Sequence, residues 1–134
     1  MAFVGKSYVL DRTENFDEFV KSLKIPDDLA DLIIKAKAKQ TLEKNGDEYV
    51  LTSVYNERTM VSKFKNGVEF DETVGPKGKA KTTFTVEGDK VTQVQKFPDG
   101  NTITLVREYY PDKIEATITT NFWPGTAKRF YVAE

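Results

Sequence analysis

Residues 102–109 read TITLVREY, and this stretch decides which kind of fold the sequence predicts. Alternate residues of a β-strand share a face, so the stretch divides into two sets. The first set is mostly apolar and is predicted to face the interior; it contains Ile103, Leu105, Arg107 and Tyr109. The second set contains Thr102, Thr104, Val106 and Glu108. A strand with an arginine on its interior face indicates an interior that is partly polar.

An interior arginine needs a partner, because it keeps its charge at physiological pH and an unpaired buried charge is costly. The last strand raises the same question with Arg129, although alternation alone leaves open whether Arg129 or Phe130 faces inward. On the strands of Arg107 and Arg129 and the strand between them, Glu108 and Glu115 fall on the opposite face. A ligand carboxylate could therefore supply the missing counter-ion.

Other strands also place hydrogen-bonding side chains on their predicted inner faces. Gln93 and Gln95 alternate with Val91 and Phe97, and the pattern repeats in two further sets: Tyr49, Leu51, Ser53 and Tyr55, then Met60, Ser62 and Phe64. In a dry core each unsatisfied polar group would cost about 1–3 kcal/mol. The pattern therefore favours a barrel with a hollow, partly polar interior over a solid sandwich.

Two short amphipathic helices are predicted near the start of the chain. Asn15 and Glu18 have the spacing of a capping box at the start of the first helix. After a break at residues 24–26, Asp27 and Asp28 place negative charge where a second helix dipole favours it. Each helix has one apolar stripe, made of Phe16, Phe19, Val20 and Leu23 in the first and of Leu29, Leu32, Ile33 and Ala36 in the second. The pattern predicts a helix–turn–helix hairpin.

From about Gln40 onward the hydrophobic period changes to two, as in β-strands. Turn signals recur at the spacing of an antiparallel meander, at Asn45-Gly46, Asn56-Glu57, Asn66-Gly67, Pro76-Lys77-Gly78, Glu87-Gly88-Asp89, Pro98-Asp99-Gly100, Pro111-Asp112 and Pro124-Gly125. A further strand is predicted at residues 6–11, before the helices. The result is about ten strands, with the hairpin inserted after the first.

Composition narrows the classes of function. The 134 residues are the size of one domain, spanning 1–134, and the net charge of −1 argues against a nucleic-acid binder. Cysteine and histidine are absent, which excludes disulfides, a Cys/His zinc site and a Ser-His-Asp triad. The chain has no apolar run of the roughly 20 residues that a membrane helix needs, and its start lacks the apolar region of a secretory signal. A cytoplasmic protein without covalent chemistry is expected.

Several segments match a known family. These segments are KSYVL at residues 6–10, NFDEFV at 15–20, GVEFDE at 67–72, VRE at 106–108 and RFY at 129–131. Over essentially its whole length, the chain resembles the intracellular lipid-binding proteins, which include the fatty-acid-binding and cellular retinoid-binding proteins. The resemblance implies an all-β, ten-stranded antiparallel up-and-down barrel of the calycin or lipocalin-like type. It also implies that the helix hairpin between the first two strands caps this barrel.

The resemblance further implies a site for a ligand carboxylate. It places Arg129 and Tyr131 inside the barrel and assigns the carboxylate to Arg107, Arg129 and Tyr131, with Arg107 acting directly or through water. Seven further residues are candidates for lining the cavity or its portal: Phe16, Leu29, Ile33, Ser53, Met60, Gln93 and Gln95. Ligand entry is expected beside the second helix.

The expected function is non-covalent binding and intracellular transport of a long-chain fatty acid or a retinoid carboxylate by a monomer. Neither cofactor nor metal is expected. An enzyme would need a general base such as Tyr131, and a secreted lipocalin would normally show a signal peptide and disulfides. Lys35, Lys37 and Lys39 are either a solvated face or a patch through which the hairpin contacts anionic membranes transiently.

Overall fold

The computed structural model describes residues 3–74 and 78–134. In this part of the chain, ten strands form one antiparallel sheet: β1 Ser7–Glu14, β2 Ala38–Asn45, β3 Glu48–Tyr55, β4 Arg58–Lys65, β5 Phe70–Val74, β6 Gly78–Glu87, β7 Lys90–Lys96, β8 Thr102–Tyr109, β9 Lys113–Thr120 and β10 Ala127–Ala133. Two helices, α1 Phe16–Ser22 and α2 Asp27–Lys35, lie between β1 and β2.

The sheet curves into a nearly closed barrel. The first and last strands pair with each other, so the strand order runs β4-β3-β2-β1-β10-β9-β8-β7-β6-β5. No strand pairing joins β4 to β5 among the described residues, but the loop after β4 bridges to β6. There, the Gly67 backbone N–H donates to the Phe84 carbonyl at 2.8 Å. The Asn66 side chain bonds both backbone groups of Val86 at 2.9 and 3.1 Å. The predicted ten-stranded barrel with a hairpin after the first strand is confirmed.

The predicted turn signals lie where the strands reverse. Gly46 has φ +66° between β2 and β3, and Asn56 has φ +56° between β3 and β4. Glycine adopts this left-handed backbone without strain, and asparagine tolerates it better than most residues. For the predicted turn at residues 76–78, Pro76 and Lys77 lie outside the described residues.

The start of α1 differs from the prediction. Asn15 has left-handed φ of +56°, and its side chain makes no capping hydrogen bond to the helix. Instead its Nδ2 donates to the Thr126 carbonyl at 3.3 Å. The expected capping box is therefore not formed, because Asn15 ties the start of α1 to the loop before β10. The first strand also runs beyond the predicted residues 6–11, to Glu14, with a register shift between Leu10 and Arg12.

Two clusters of buried apolar side chains occupy the interior. The first, here called the tyrosine cluster, includes Phe3, Tyr8, Phe84, Val91, Tyr109 and Tyr131. The second, here called the hairpin cluster, includes Phe16, Phe19, Val20, Ala80, Phe97, Ile103, Ile118 and Ala127. The hairpin cluster joins both helices to the barrel. Neither helix in the described ranges is long and apolar enough to cross a membrane.

Candidate functional site

A belt of polar side chains lies between the two apolar clusters. On β8, Arg107 follows Ile103 of the hairpin cluster and precedes Tyr109 of the tyrosine cluster. On β10, Arg129 lies between Ala127 and Tyr131 in the same way. The polar belt is defined here as Glu72, Thr82, Gln93, Gln95, Arg107 and Arg129. Alternation on five strands thus brings polar groups from distant parts of the sequence to one level of the barrel.

The two belt arginines lie on opposite sides of the same residue. Arg107 of β8 and Arg129 of β10 both pair with Ala116 of β9. Adjacent strands are about 4.8 Å apart, so the two backbones are separated by roughly 10 Å. Each arginine is only 8% exposed. Two cations held this close in the interior repel each other unless anionic or polar groups compensate.

Arg107 has such a partner. Its Nη1 donates a 2.9 Å hydrogen bond to Gln93 Oε1. The same amide donates from Nε2 to the Glu72 carboxylate, at 3.1 Å to Oε1 and 3.3 Å to Oε2. One amide side chain therefore connects the Arg107 cation to a carboxylate.

Of the belt residues, the sequence prediction missed Thr82 and the charged residue Glu72. Its Oε1 also accepts from Thr82 Oγ1 at 2.8 Å and from Gln95 Nε2 at 3.0 Å. The acids considered from sequence were those near the two arginines in the last strands, whereas Glu72 comes from β5. A signal was present, because Glu72 alternates with Phe70 and Val74, which pack against the two clusters.

Arg129 is held differently from Arg107. Its Nε and Nη2 are buried, and within the described residues neither has a hydrogen-bond partner. The guanidinium carbon lies 4.1 Å from the centre of the Phe16 ring and 5.7 Å from that of the Tyr131 ring. Aromatic faces attract a cation, but they do not accept two N–H groups as an anion does. Arg129 thus has two buried N–H donors that can bind an anion, beside two aromatic rings.

The two tyrosines of β8 and β10 remain neutral hydrogen-bonding groups. Burial raises the pKa of Tyr131, and the Arg129 charge acts in the opposite direction. Burial raises the pKa of Tyr109 to about 12, again with an arginine, Arg107, opposing the shift. At physiological pH the Tyr131 phenol is therefore protonated and able to donate beside Arg129.

The other residues predicted from sequence do not all meet at the belt. Gln93 and Gln95 belong to it, while Phe16 and Ile33 pack in the hairpin cluster. Leu29 is half-buried on α2. Ser53 and Met60 face each other across β3 and β4, with Ser53 half-buried and Met60 43% exposed. Their predicted contribution to a cavity or portal stays a prediction.

An open pocket of about 490 Å³ lies beside α2, lined by Asp28, Asp31, Leu32, Lys35 and Asn56. Leu32 is 64% exposed there. The pocket lies where α2 meets the turn between β3 and β4, on the side of the barrel where sequence analysis expects ligand entry.

The predicted basic patch is only partly free. Lys35 and Lys37 are exposed, whereas Lys39 forms a 2.7 Å ion pair with Glu134. The α2 helix also carries three exposed acids, Asp27, Asp28 and Asp31. Acidic side chains oppose the attraction of lysines to an anionic membrane. Membrane contact through the hairpin stays a prediction.

Comparison with known proteins defines the class. The model of the lipocalin / cytosolic fatty-acid binding protein family matches residues 1–119. The chain belongs to this family, which confirms the resemblance seen in its sequence.

Individual relatives are similar over the full length. Fatty acid-binding protein 2 of Manduca sexta is 42% identical over 135 residues, covering 99% of this chain and 100% of the relative. The fatty acid-binding protein of Tyrophagus putrescentiae is 33% identical, covering 98% of each. The solved structure of the fatty-acid-binding protein isolated from Manduca sexta has a TM-score of 0.90 at 40% identity, covering 98% of this chain and 99% of that one. The Schistosoma mansoni fatty acid binding protein in complex with arachidonic acid has a TM-score of 0.89 at 27% identity, covering 99% and 96%.

Proposed function

We propose that this protein binds a long-chain fatty acid non-covalently inside the barrel and transports it within the cell. The ligand carboxylate is assigned to Arg129, with Tyr131 donating to it and Arg107 contributing directly or through water. The observation that carries this proposal is the pair of buried Arg129 nitrogens, Nε and Nη2, which have no hydrogen-bond partner in residues 3–74 and 78–134. A carboxylate is the planar anion that a guanidinium binds with two parallel hydrogen bonds. The fatty acid-binding proteins among the relatives support the same ligand class.

The charge of the interior also favours a single carboxylate. Among the described inward-facing residues that are buried or half-buried, Arg107 and Arg129 are positive and Glu72 is negative. One ligand carboxylate balances the remaining positive charge. Its attraction to the arginines then compensates the cost of removing it from water. A neutral lipid would leave that charge unbalanced.

The binding energy comes mainly from the hydrocarbon chain. Burying ten methylenes at about 0.8 kcal/mol each gives about 8 kcal/mol. Each charge-assisted hydrogen bond adds about 1.5–3 kcal/mol, while association costs at least about 4 kcal/mol. The balance corresponds to micromolar affinity or better. Apolar burial therefore sets the strength of binding, and Arg129 sets the orientation and chemical class of the ligand.

We assign ligand entry to the pocket beside α2. The exposed Leu32 side chain offers an apolar contact at the surface, and Ile33 of the same helix packs against the hairpin cluster. A hydrocarbon chain passing α2 would thus move from one apolar surface to the next.

Retinoic acid also carries a carboxylate, so the proposed site could bind it as well as a fatty acid. Competition between oleate and retinoic acid for the purified protein shows which of these two ligands binds more tightly.

The test compares an acid with its matched alcohol. Arg129→Ala should raise the Kd for oleic acid at least tenfold, because it removes charge-assisted hydrogen bonds of about 1.5–3 kcal/mol each. The Kd for oleyl alcohol should change less than threefold, because the alcohol has no anionic group. Isothermal titration calorimetry measures both constants.

Arg12→Ala is the matched control. Arg12 pairs with Phe130 next to Arg129, but it is exposed and stacks on the Phe130 ring at 3.8 Å. Its loss should leave both affinities unchanged. Arg129→Met repeats the test with a side chain of similar length in case alanine disturbs packing. Equal losses for the acid and the alcohol in both Arg129 variants would refute the assignment.

A further inference from the structure

The two oxygens of the Glu72 carboxylate are hydrogen-bonded unequally. Its Oε1 accepts three hydrogen bonds of 2.8–3.1 Å, from Thr82, Gln93 and Gln95. Among the described residues, its Oε2 has two long contacts, to Gln93 Nε2 at 3.3 Å and to Ser62 Oγ at 3.4 Å. The Gln93 contact is shared with Oε1. A strong hydroxyl-to-carboxylate bond is 2.5–2.7 Å long, so Oε2 can still accept one good donor.

Oε2 lies at the least sealed part of the barrel. Ser62 belongs to β4 and Glu72 to β5, the two strands that do not pair within the described ranges. No backbone ladder therefore fixes the distance between these two side chains. A stronger donor can replace the long Ser62 contact without breaking a strand pairing.

We propose that Glu72 Oε2 is a second polar subsite, which accepts a hydrogen bond from a hydroxyl group on the hydrocarbon chain of the ligand. The ligand class is then a long-chain monocarboxylic acid with a hydroxyl remote from the carboxyl carbon. This inference rests on the proposed function, because the carboxylate is still assigned to Arg129.

Charge selects a hydroxyl over ionised polar groups. A second carboxylate would meet Glu72 as a like charge, which is unfavourable in the interior. An ammonium group would restore the positive excess that the first carboxylate removes. A hydroxyl donates a hydrogen bond and leaves the interior neutral.

The barrel geometry sets the position of the hydroxyl. In the ring of ten strands, β5 and β10 are five steps apart and so lie on opposite sides. Ten strands at about 4.8 Å spacing enclose a barrel roughly 15–20 Å wide between opposite backbones. The chain must cross the space between Arg129 and Glu72, so a hydroxyl at C2 would stay beside Arg129. Only a hydroxyl farther along the chain reaches Oε2.

The experiment scans this position. The Kd values of stearic acid and of its hydroxy and keto derivatives at C2, C6, C10 and C12 are measured by calorimetry. We expect at least one position beyond C2 at which the wild type binds the hydroxy acid tenfold or more tightly than the keto acid, because a ketone cannot donate to Glu72. At C2 the ratio should stay below threefold.

Glu72→Gln tests the residue directly. The amide nitrogen that replaces Oε2 donates instead of accepting, so the hydroxy-to-keto preference should fall at least fivefold or reverse. The Kd of stearic acid is measured on the same variant, and the hydroxy-to-keto ratio within each protein cancels any change in the binding of the carboxylate. A residue needed only for structure would instead weaken all ligands equally.

Glu69→Gln is the control, since Glu69 is an exposed acid just before β5. It should keep the wild-type preference. If the wild type binds stearic acid but shows no hydroxyl preference at any position, the Glu72 subsite is wrong and the proposed function stands. If stearic acid does not bind at all, the proposed function itself fails.

Discussion

Arg107 and Arg129 show how two identical side chains at one level of a barrel acquire different roles. Arg107 is hydrogen-bonded to Gln93 and through it connected to Glu72. Arg129 contacts aromatic rings and retains two unused buried donors. Since breaking an existing hydrogen bond opposes ligand binding, we propose Arg129 as the primary anchor of the ligand carboxylate. In the proposed site, Arg107 contributes directly or through water.

The buried Tyr109 phenol is expected to make the stability of the fold depend on pH. Burial raises its pKa to about 12 from the usual 10.0. Below pH 10 the folded and unfolded states are both protonated, so the stability is fully present. Between pH 10 and pH 12 the unfolded state ionises first, and the free energy of unfolding falls as the pH rises. The expected loss from Tyr109 alone is about 2 kcal/mol.

Urea unfolding at pH 9 and pH 11.5 measures this effect. The wild type should lose more stability over this interval than Tyr109→Phe, which has no phenol to ionise. The lysines titrate in the same way in the wild type and in Tyr109→Phe, so the difference between the two proteins removes their contribution to the loss of stability. Tyr110→Phe, which removes a 37% exposed phenol, should follow the wild type. Identical losses for the wild type and Tyr109→Phe would contradict the prediction.

At the scale of elements, the loop before β10 fastens the helix hairpin to the barrel. Asn15 donates to the Thr126 carbonyl, and the Trp123 ring lies 6.0 Å from the Phe19 ring. The loop therefore couples the position of α1 to the strand that carries Arg129. Phe16 strengthens this coupling, because it belongs to α1 and stacks on Arg129.

Gly125 makes this loop sensitive to substitution. An added Cβ would overlap Trp123 Cζ2 and lie 2.7 Å from Cε2. We expect Gly125→Ala to lower the free energy of unfolding by about 1–3 kcal/mol, which is the usual cost of overpacking. Chemical denaturation measures the loss, and fluorescence of the chain's one tryptophan reports the displaced ring.

The control is the same substitution in a Trp123→Ala background. Without the indole ring, the added methyl group meets no obstacle, so Gly125→Ala should cost less than about 0.5 kcal/mol. An undiminished cost in that background would locate the strain in the backbone and not against Trp123.

At the scale of the whole molecule, the barrel is closed everywhere except between β4 and β5. All other neighbouring strands pair in the described ranges, including β1 with β10 despite the register shift between Leu10 and Arg12. At the opening between β4 and β5, Ser62 of β4 bonds Glu72 of β5, and the loop after β4 bonds β6. Backbone groups on such edges lack the strand partner that protects amides elsewhere.

Hydrogen exchange should reveal this difference. The amides of β4 and β5 that point away from β3 and β6 should exchange at least a hundredfold faster than the paired amides of β8 and β9. Local opening needs less free energy at an edge than inside a ladder. NMR measures the exchange of each amide and provides the test. The amides of β4 that are hydrogen-bonded to β3 serve as the internal control. Uniform protection across β4 and β9 would mean that the two edges are joined in solution.

Two local patterns, the alternation of apolar residues and the turn residues, predicted most of the fold and part of the candidate site. Alternation in residues 102–109 places Arg107 inward, and the turn residues mark the ends of the strands. For Arg129 and Tyr131, alternation alone was ambiguous, and the family resemblance placed them inside. The structure buries both, with Val132 exposed on the other face.

The order of amino acids along the chain is enough to predict the strands, the hairpin and the inward face of most strands, because period and turn chemistry depend on neighbours along the chain. Three features follow from the closed barrel alone: Glu72 contacts Gln93, Arg129 Nε and Nη2 have no partner in the part of the chain that the structure describes, and Asn15 bonds Thr126 instead of capping α1. Those contacts join residues from strands and loops that are far apart in sequence. They depend on how the barrel closes and on the register between strands, which no local pattern specifies.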